Sequence, residues 1–154
     1  AVVHKAYDEA RATAAAPLGI RLQSLETREP GDLEQAFSAA KRERAEVLVT
    51  INSPLVTSQR ERIVDFAVKS RLPTMHQENR WMEAGGLMSY GTDYVGLYRR
   101  AAVYVDKILK GAKPTDLPVE QPIKFEFIIN QKTENQIGLP IPPVVLAWAT
   151  KLIK

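Results

Sequence analysis

No cysteine occurs among the 154 residues, and only two histidines do. The first absence excludes disulfides, zinc–thiolate sites and thiol nucleophiles together. The second leaves His4 and His76 far apart, without the close spacing of a paired-histidine metal motif, so no metal is expected. His76 follows Met75 in a short apolar segment and reads as a packed ring. No apolar run approaches the roughly 18 residues that a membrane-spanning helix needs. A secretory leader is not seen either: AVVHKAYDEARA opens directly in a helical pattern, so any leader or lipid-attachment sequence would lie upstream, and location is not readable from these residues. Like-signed charge blocks are also missing, because the 21 basic and 18 acidic residues alternate, as in KRERAE and SQRERIVD. Nucleic-acid surfaces concentrate Lys and Arg on one face, often among aromatics. Solvated helix faces account better for these charges, and no nucleic-acid partner is expected. There is no G-x-S-x-G elbow, AGG at 84–86 is not a phosphate-cradling glycine loop, and no carboxylate pair suggests acid–base work. Neither an enzymatic activity nor a cofactor is expected.

What is present suits one domain with a proper core, since 45% of the residues are apolar. Residues 2–15 read as an Ala-rich helix closed by Pro17 and Gly19. IRLQSLET (20–27) alternates well enough to predict a strand. In PGDLEQAFSAAKRER, Asp32 and Gln35 have capping-box spacing, and Leu33, Ala36, Phe37 and Ala40 form one stripe, so a helix is expected over 33–44. EVLVTI (46–51) is an unbroken apolar run of the kind buried on both faces of a parallel sheet. A helix at about 58–70, capped by Thr57 or Ser58, should bury Ile63, Phe66 and Ala67. LPTMHQ (72–77) and LMSY (87–90) predict strands, with an irregular or helical piece between them. Asp93 caps a long helix over 94–110 that stops at Gly111. IKFEFIIN (123–130) predicts a strand, 131–138 a short helix, and Pro142–Pro143 open a last one.

Strands alternating with helices imply an α/β fold: a Rossmann-like, mostly parallel sheet flanked by helices. Such a fold collects ligands outside the carboxyl ends of its strands. Three loops lie there. Asn52, Ser53 and Pro54 follow EVLVTI, where Asn offers donors and an acceptor, and Ser53 and Thr57 either cap the next helix or touch a ligand. Gln77, Glu78 and Asn79 follow LPTMHQ, and Glu78 is the anion there, either facing solvent or meeting an ammonium group. The third is Ser89–Tyr90–Gly91–Thr92–Asp93, where Tyr90 can offer a ring and Asp93 an N-cap, a ligand contact, or both. Trp81 and Met82 either wall an apolar pocket or pack in the core.

EAGGLMSYG, LYRRAAVYVDKILKGAKPTDLPVEQP and the closing GLPIPP, in this order and spacing, resemble the C-terminal half of a bacterial ABC-transporter substrate-binding protein, from the family that includes tryptophan- and tyrosine-type binding proteins. The resemblance implies one lobe of a type I periplasmic-binding architecture, extracytoplasmic, without chemistry of its own. It would bind a small organic solute, amino acids among the candidates, between two lobes and deliver it to an ABC permease in the membrane. An effector-binding domain of a transcriptional regulator shares this architecture, and a small isomerase-type enzyme is a further alternative. On the resemblance, residues 1–90 are the solute-binding lobe, 91–122 a hinge and a helix that packs with the other lobe, and 123–154 a returning strand with closing helices. Asn52, Ser53, Glu78, Tyr90 and Asp93 would face the cleft. NSPL at 52–55 replaces a more acidic loop, which weakens a claim for tryptophan, and QKTENQIG is more polar than the usual closing helix. The family places a strand before the helix of residues 2–15. The sheet is therefore expected to lack its first strand and to have an exposed edge open to homo-oligomer formation.

Overall fold

A computed structural model describes Glu9 and residues 12–154; most of the helix expected over 2–15 lies outside the described residues. Residues 12–15 are helical and end in a tight turn at Ala16–Leu18, with Gly19 in the left-handed conformation at φ 65°. Then follow α1 (Asp32–Arg42), β1 (Leu48–Val49), α2 (Pro54–Ser58), α3 (Arg60–Lys69), β2 (Thr74–His76), α4 (Arg80–Glu83), β3 (Met88–Thr92), α5 (Tyr94–Leu109), β4 (Phe125–Asn130), α6 (Gln131–Ile137), α7 (Pro143–Trp148) and β5 (Lys151–Ile153). The five strands lie in sequence order in one sheet. β1–β2, β2–β3 and β4–β5 pair in parallel, and β3–β4 pair antiparallel from Met88↔Ile129 to Thr92↔Phe125. The mixed, mostly parallel α/β sheet expected from the strand–helix alternation is thus present.

Two apolar clusters hold it. Leu33 of α1, Ile63 and Val64 of α3, Trp81 and Met82 of α4, and Ile128 of β4 form the larger. Leu87, Ile129, Ile137 and Ile141 form the second, under α6 and α7. The Phe37 and Phe66 rings stack at 4.1 Å and join α1 to α3. Each fully buried aliphatic side chain contributes about 1.5–3 kcal/mol relative to exposure.

Several expectations need correction. Residues 20–27 form no strand; Ile20 and Leu22 are exposed and the segment has no ladder partner. Alternation supplies a face, but a strand also needs a neighbour to take its backbone hydrogen bonds. The run at 46–51 pairs only at Leu48–Val49, and Val49 lies 60% exposed on the sheet's edge. Asp32 does not cap the first turn of α1. Its carboxylate reaches back to the N–H groups of Arg28 (2.7 Å) and Glu29 (3.1 Å), which hold it below the usual carboxylate range. The helix expected at about 58–70 is present as α3 (Arg60–Lys69), whose N-terminal Gln59 makes no capping hydrogen bond, so neither Thr57 nor Ser58 caps it; what was not expected is the separate short helix α2 before it, which Ser53 caps. β5 was not foreseen, because three residues are too few to show a period.

Candidate functional site

The carboxyl ends of β1, β2 and β3 bring together the loops that sequence reasoning singled out. Ser53 is extended (φ −144°, ψ 157°), and its Oγ accepts from the Val56 N–H at 3.2 Å, so its hydroxyl starts α2. The Asn52 N–H donates to Gln77 Oε1 at 3.4 Å, tying the first loop to the second. Asn52 Oδ1 is buried without a hydrogen-bond partner. Such an acceptor is costly in a native fold and marks a position where a polar partner belongs.

In the second loop the Glu78 side chain is 18% exposed and lies 2.5 Å from Arg80 Nε. Asn79 is fixed from both ends: its Nδ2 donates to Glu126 Oε2 at 2.5 Å, and its Oδ1 accepts from Ser89 Oγ at 3.2 Å. Glu126 lies opposite Gly91 in the β3–β4 register. Gly91 is required there, because a Cβ would stand 1.9 Å from the Gln77 carbonyl oxygen. Sequence reasoning passed over Glu126, although a single carboxylate inside FEFIIN was a visible break in an otherwise apolar strand.

Behind these loops, His76 Nδ1 and Thr50 Oγ1 are 2.8 Å apart, and the imidazole stacks on Trp81 at 4.3 Å. Burial pushes the His76 pKa down to about 4, so the ring is neutral at physiological pH. Thr50, His76 and Trp81 are all buried, so this hydroxyl–imidazole pair is a packing element. Trp81 and Met82 belong to the core cluster.

The third loop divides. Ser89 points to the Asn79–Glu126 side, and Tyr90, next along the strand, to the opposite face. Tyr90 is half exposed and stacks on Phe125 at 5.7 Å, with Phe127 edge-on at 6.3 Å. Asp93 uses both oxygens: Oδ1 accepts from the Gly96 N–H (2.9 Å) and Oδ2 from Lys124 Nζ (2.9 Å). The Gly96 N–H first, and the Lys124 ammonium second, hold its carboxyl below the usual range. Lys124 also feels the Glu126 charge, which links this corner to the Asn79 cluster. The structure thus joins Asn52 to Gln77, and Asn79 to Ser89 and Glu126, while Tyr90 stays on the other face. Amide, hydroxyl and carboxylate groups of this kind suit the recognition of a small polar molecule.

Among the described residues, no group of three or more His, Cys, Asp or Glu is placed to hold a metal ion. Among them, too, no helix is long and apolar enough to cross a membrane. The family described as "ABC transporter substrate binding protein" matches residues 3–153. No curated protein matches the chain. A conserved domain protein from Vibrio cholerae O1 biovar El Tor has 28% identity and a TM-score of 0.83, over 97% of this chain and 50% of its own. An ABC domain in complex with L-Trp from Streptococcus pneumonia has 23% identity and a TM-score of 0.82, over the same shares. A ligand-free, open substrate binding protein with adhesive properties from Clostridium difficile has 21% identity and a TM-score of 0.73, over 100% and 51%. The chain therefore spans about half the length of these solved structures.

Proposed function

This chain belongs to the ABC transporter substrate-binding protein family, and on that premise we propose that it is one lobe of a two-lobe, extracytoplasmic solute-binding protein of an importer. The solute is a small organic molecule, with amino acids the first class to test, and the partner that receives it is a membrane permease. In this reading residues 1–90 and 123–154 build the solute-binding lobe, while 91–122 supply the hinge and the helix that packs with the other lobe. The observation that carries it is the cluster at the carboxyl ends of β1–β3. There the unpartnered Asn52 acceptor, Glu78, and the Asn79–Ser89–Glu126 network stand on loops tied to one another. The mechanism is binding without chemistry: two lobes close over the solute, and the closed form is what the permease recognises.

α5 supports the division of the chain, since it contains no buried residue despite its apolar positions. One lobe supplies only part of the contacts, so the chain alone should bind weakly or not at all. The test is calorimetric titration of a two-lobe protein carrying this sequence with a panel of amino acids, L-tryptophan included. Binding is expected for at least one of them, and Asn52→Ala or Glu78→Gln should weaken it by about ten- to a hundredfold, the usual cost of losing a hydrogen bond to a charged group. No binding across the panel would refute amino acids as the solute class, and affinities untouched by both substitutions would refute the site.

A further inference from the structure

Hydrogen-bonding capacity at the carboxyl ends of β1–β3 is lopsided. The Asn52 N–H, Asn79 Nδ2 and Ser89 Oγ are donors already spent inside the protein, on Gln77, Glu126 and Asn79. Two acceptors are left over: Asn52 Oδ1 and Glu78 Oε2 are both buried without a hydrogen-bond partner. They leave the sheet side by side. Leu48 pairs with Thr74 and Thr50 meets His76, and two residues further along each chain come Asn52 and Glu78. A carboxylate only accepts, so the partner Glu78 Oε2 calls for is a donor, best a charged one. Glu126 adds a second carboxylate on the side of Ser89 and Asn79, and it forms no ion pair among the described residues. Lys124 feels the Glu126 charge but is bonded to Asp93, and Arg99 acts on the same Asp93.

The cation beside Glu78 is Arg80. Its Nε is 2.5 Å from Glu78 Oε2 without the alignment of a hydrogen bond, and its side chain is 58% exposed. An ion pair so open to solvent contributes little and is readily displaced. The neighbouring rings are elsewhere: Trp81 is packed in the core, and Tyr90, Phe125 and Phe127 stack on the opposite face. We propose, building on the solute-binding reading of this site, that the group this lobe holds is a cationic nitrogen with several N–H donors, an ammonium or guanidinium, which takes the place of Arg80 against Glu78, Glu126 and the Asn52 side-chain oxygen. An aliphatic amine or guanidine suits these groups better than an aromatic zwitterion does.

The experiment is calorimetric titration of a two-lobe protein carrying this sequence with matched probes. These are putrescine and agmatine as cations, L-lysine beside L-norleucine, which lacks the side-chain ammonium, and glutarate as an anion. At least one of the three cations should bind, and norleucine should bind at least tenfold more weakly than lysine. Glu78→Gln, and Glu126→Gln, which keeps an oxygen for Asn79, should each weaken the cation by about ten- to a hundredfold. Arg80→Gln should tighten it severalfold, because the competing guanidinium is gone. Unchanged circular dichroism shows that the variants are folded, and the comparison of probes needs no variant at all. Norleucine binding as well as lysine, or glutarate binding that Arg80→Gln abolishes, would overturn the cation while leaving a solute site at these loops. Silence from all three cations would overturn it too; the solute-binding reading would then still stand if another amino acid bound and Asn52→Ala weakened it.

Discussion

The lobe and the arm that α5 and the returning chain form over residues 93–124 solve the same problem in opposite ways. In the lobe, Trp81, Leu87, His76, Ser89 and Ile129 lose essentially all contact with solvent; His76 Nδ1 is paired with Thr50 and Ser89 with Asn79, while His76 Nε2 and Trp81 Nε1 are buried without a hydrogen-bond partner. In the arm α5 buries nothing, and Tyr98 (76% exposed), Leu109 (82%) and Val119 (99%) face outward. What gives the arm its shape is a short series of polar ties between the outgoing helix and the strap that returns to β4: Tyr104 with the Pro118 carbonyl, Arg100 with Glu120, and Asp93 with Lys124. Burial specifies the lobe and surface clasps specify the arm. Interior contacts are worth far more than exposed ion pairs, so the two regions should answer differently to substitution.

The strongest way to break that contrast is Trp81→Ala. The ring is fully buried in the main cluster and stacked on His76, so its loss should cost about 3–5 kcal/mol in urea unfolding. A cost near zero would mean the lobe is not burial-driven. Acid should come next. The folded lobe keeps His76 neutral down to about pH 4, whereas the unfolded chain protonates it near pH 6.5. The unfolded state thus binds the extra proton between those values, so this contribution is complete above about pH 6.5 and is lost as pH falls toward 4, amounting to about 3 kcal/mol. Urea midpoints across that range should show the loss, and His76→Gln should flatten it. Gly91→Ala drives a methyl group into the Gln77 carbonyl and should cost about 1–3 kcal/mol while separating β2 from β3, visible as faster amide exchange at Ser89–Gly91. Leu109→Ser in the arm should move stability by less than about 0.5 kcal/mol. A loss comparable to Trp81→Ala would show that the arm is packed after all.

Much of this was legible in the sequence, for identifiable reasons. Asp93 before an apolar-striped segment, with Gly111 after it, marked α5 nearly to the residue, because caps are local chemistry. The 3.6-residue stripe of Leu33, Phe37 and Ala40 likewise marked α1. Residues 20–27 misled because alternation does not reveal whether a neighbouring strand exists. The short helix α2 was hidden because its five residues are too few to show a 3.6-residue stripe, although Ser53, with Pro54 after it, has the extended backbone that a cap needs. At the candidate site, Asn52, Glu78 and Asn79 were singled out from their places after apolar runs, and the structure puts them on the loops after β1 and β2. Glu126 and Lys124 were not, since their roles come from pairing across β3 and β4, which no local pattern encodes.

The ties between α5 and the returning chain are nested in sequence, each enclosing the one before. Tyr104 and Pro118 close a loop of sequence separation 14, Arg100 and Glu120 one of 20, and Asp93 and Lys124 one of 31. Each closure leaves only a short further stretch to be ordered by the next, and closure entropy grows slowly with length. The antiparallel β3–β4 ladder, which would otherwise wait for a long diffusive search, can then start at Thr92 and Phe125 and zip inward to Met88 and Ile129. The exposed helix and strap thus shorten the loop that the β3–β4 ladder has to close.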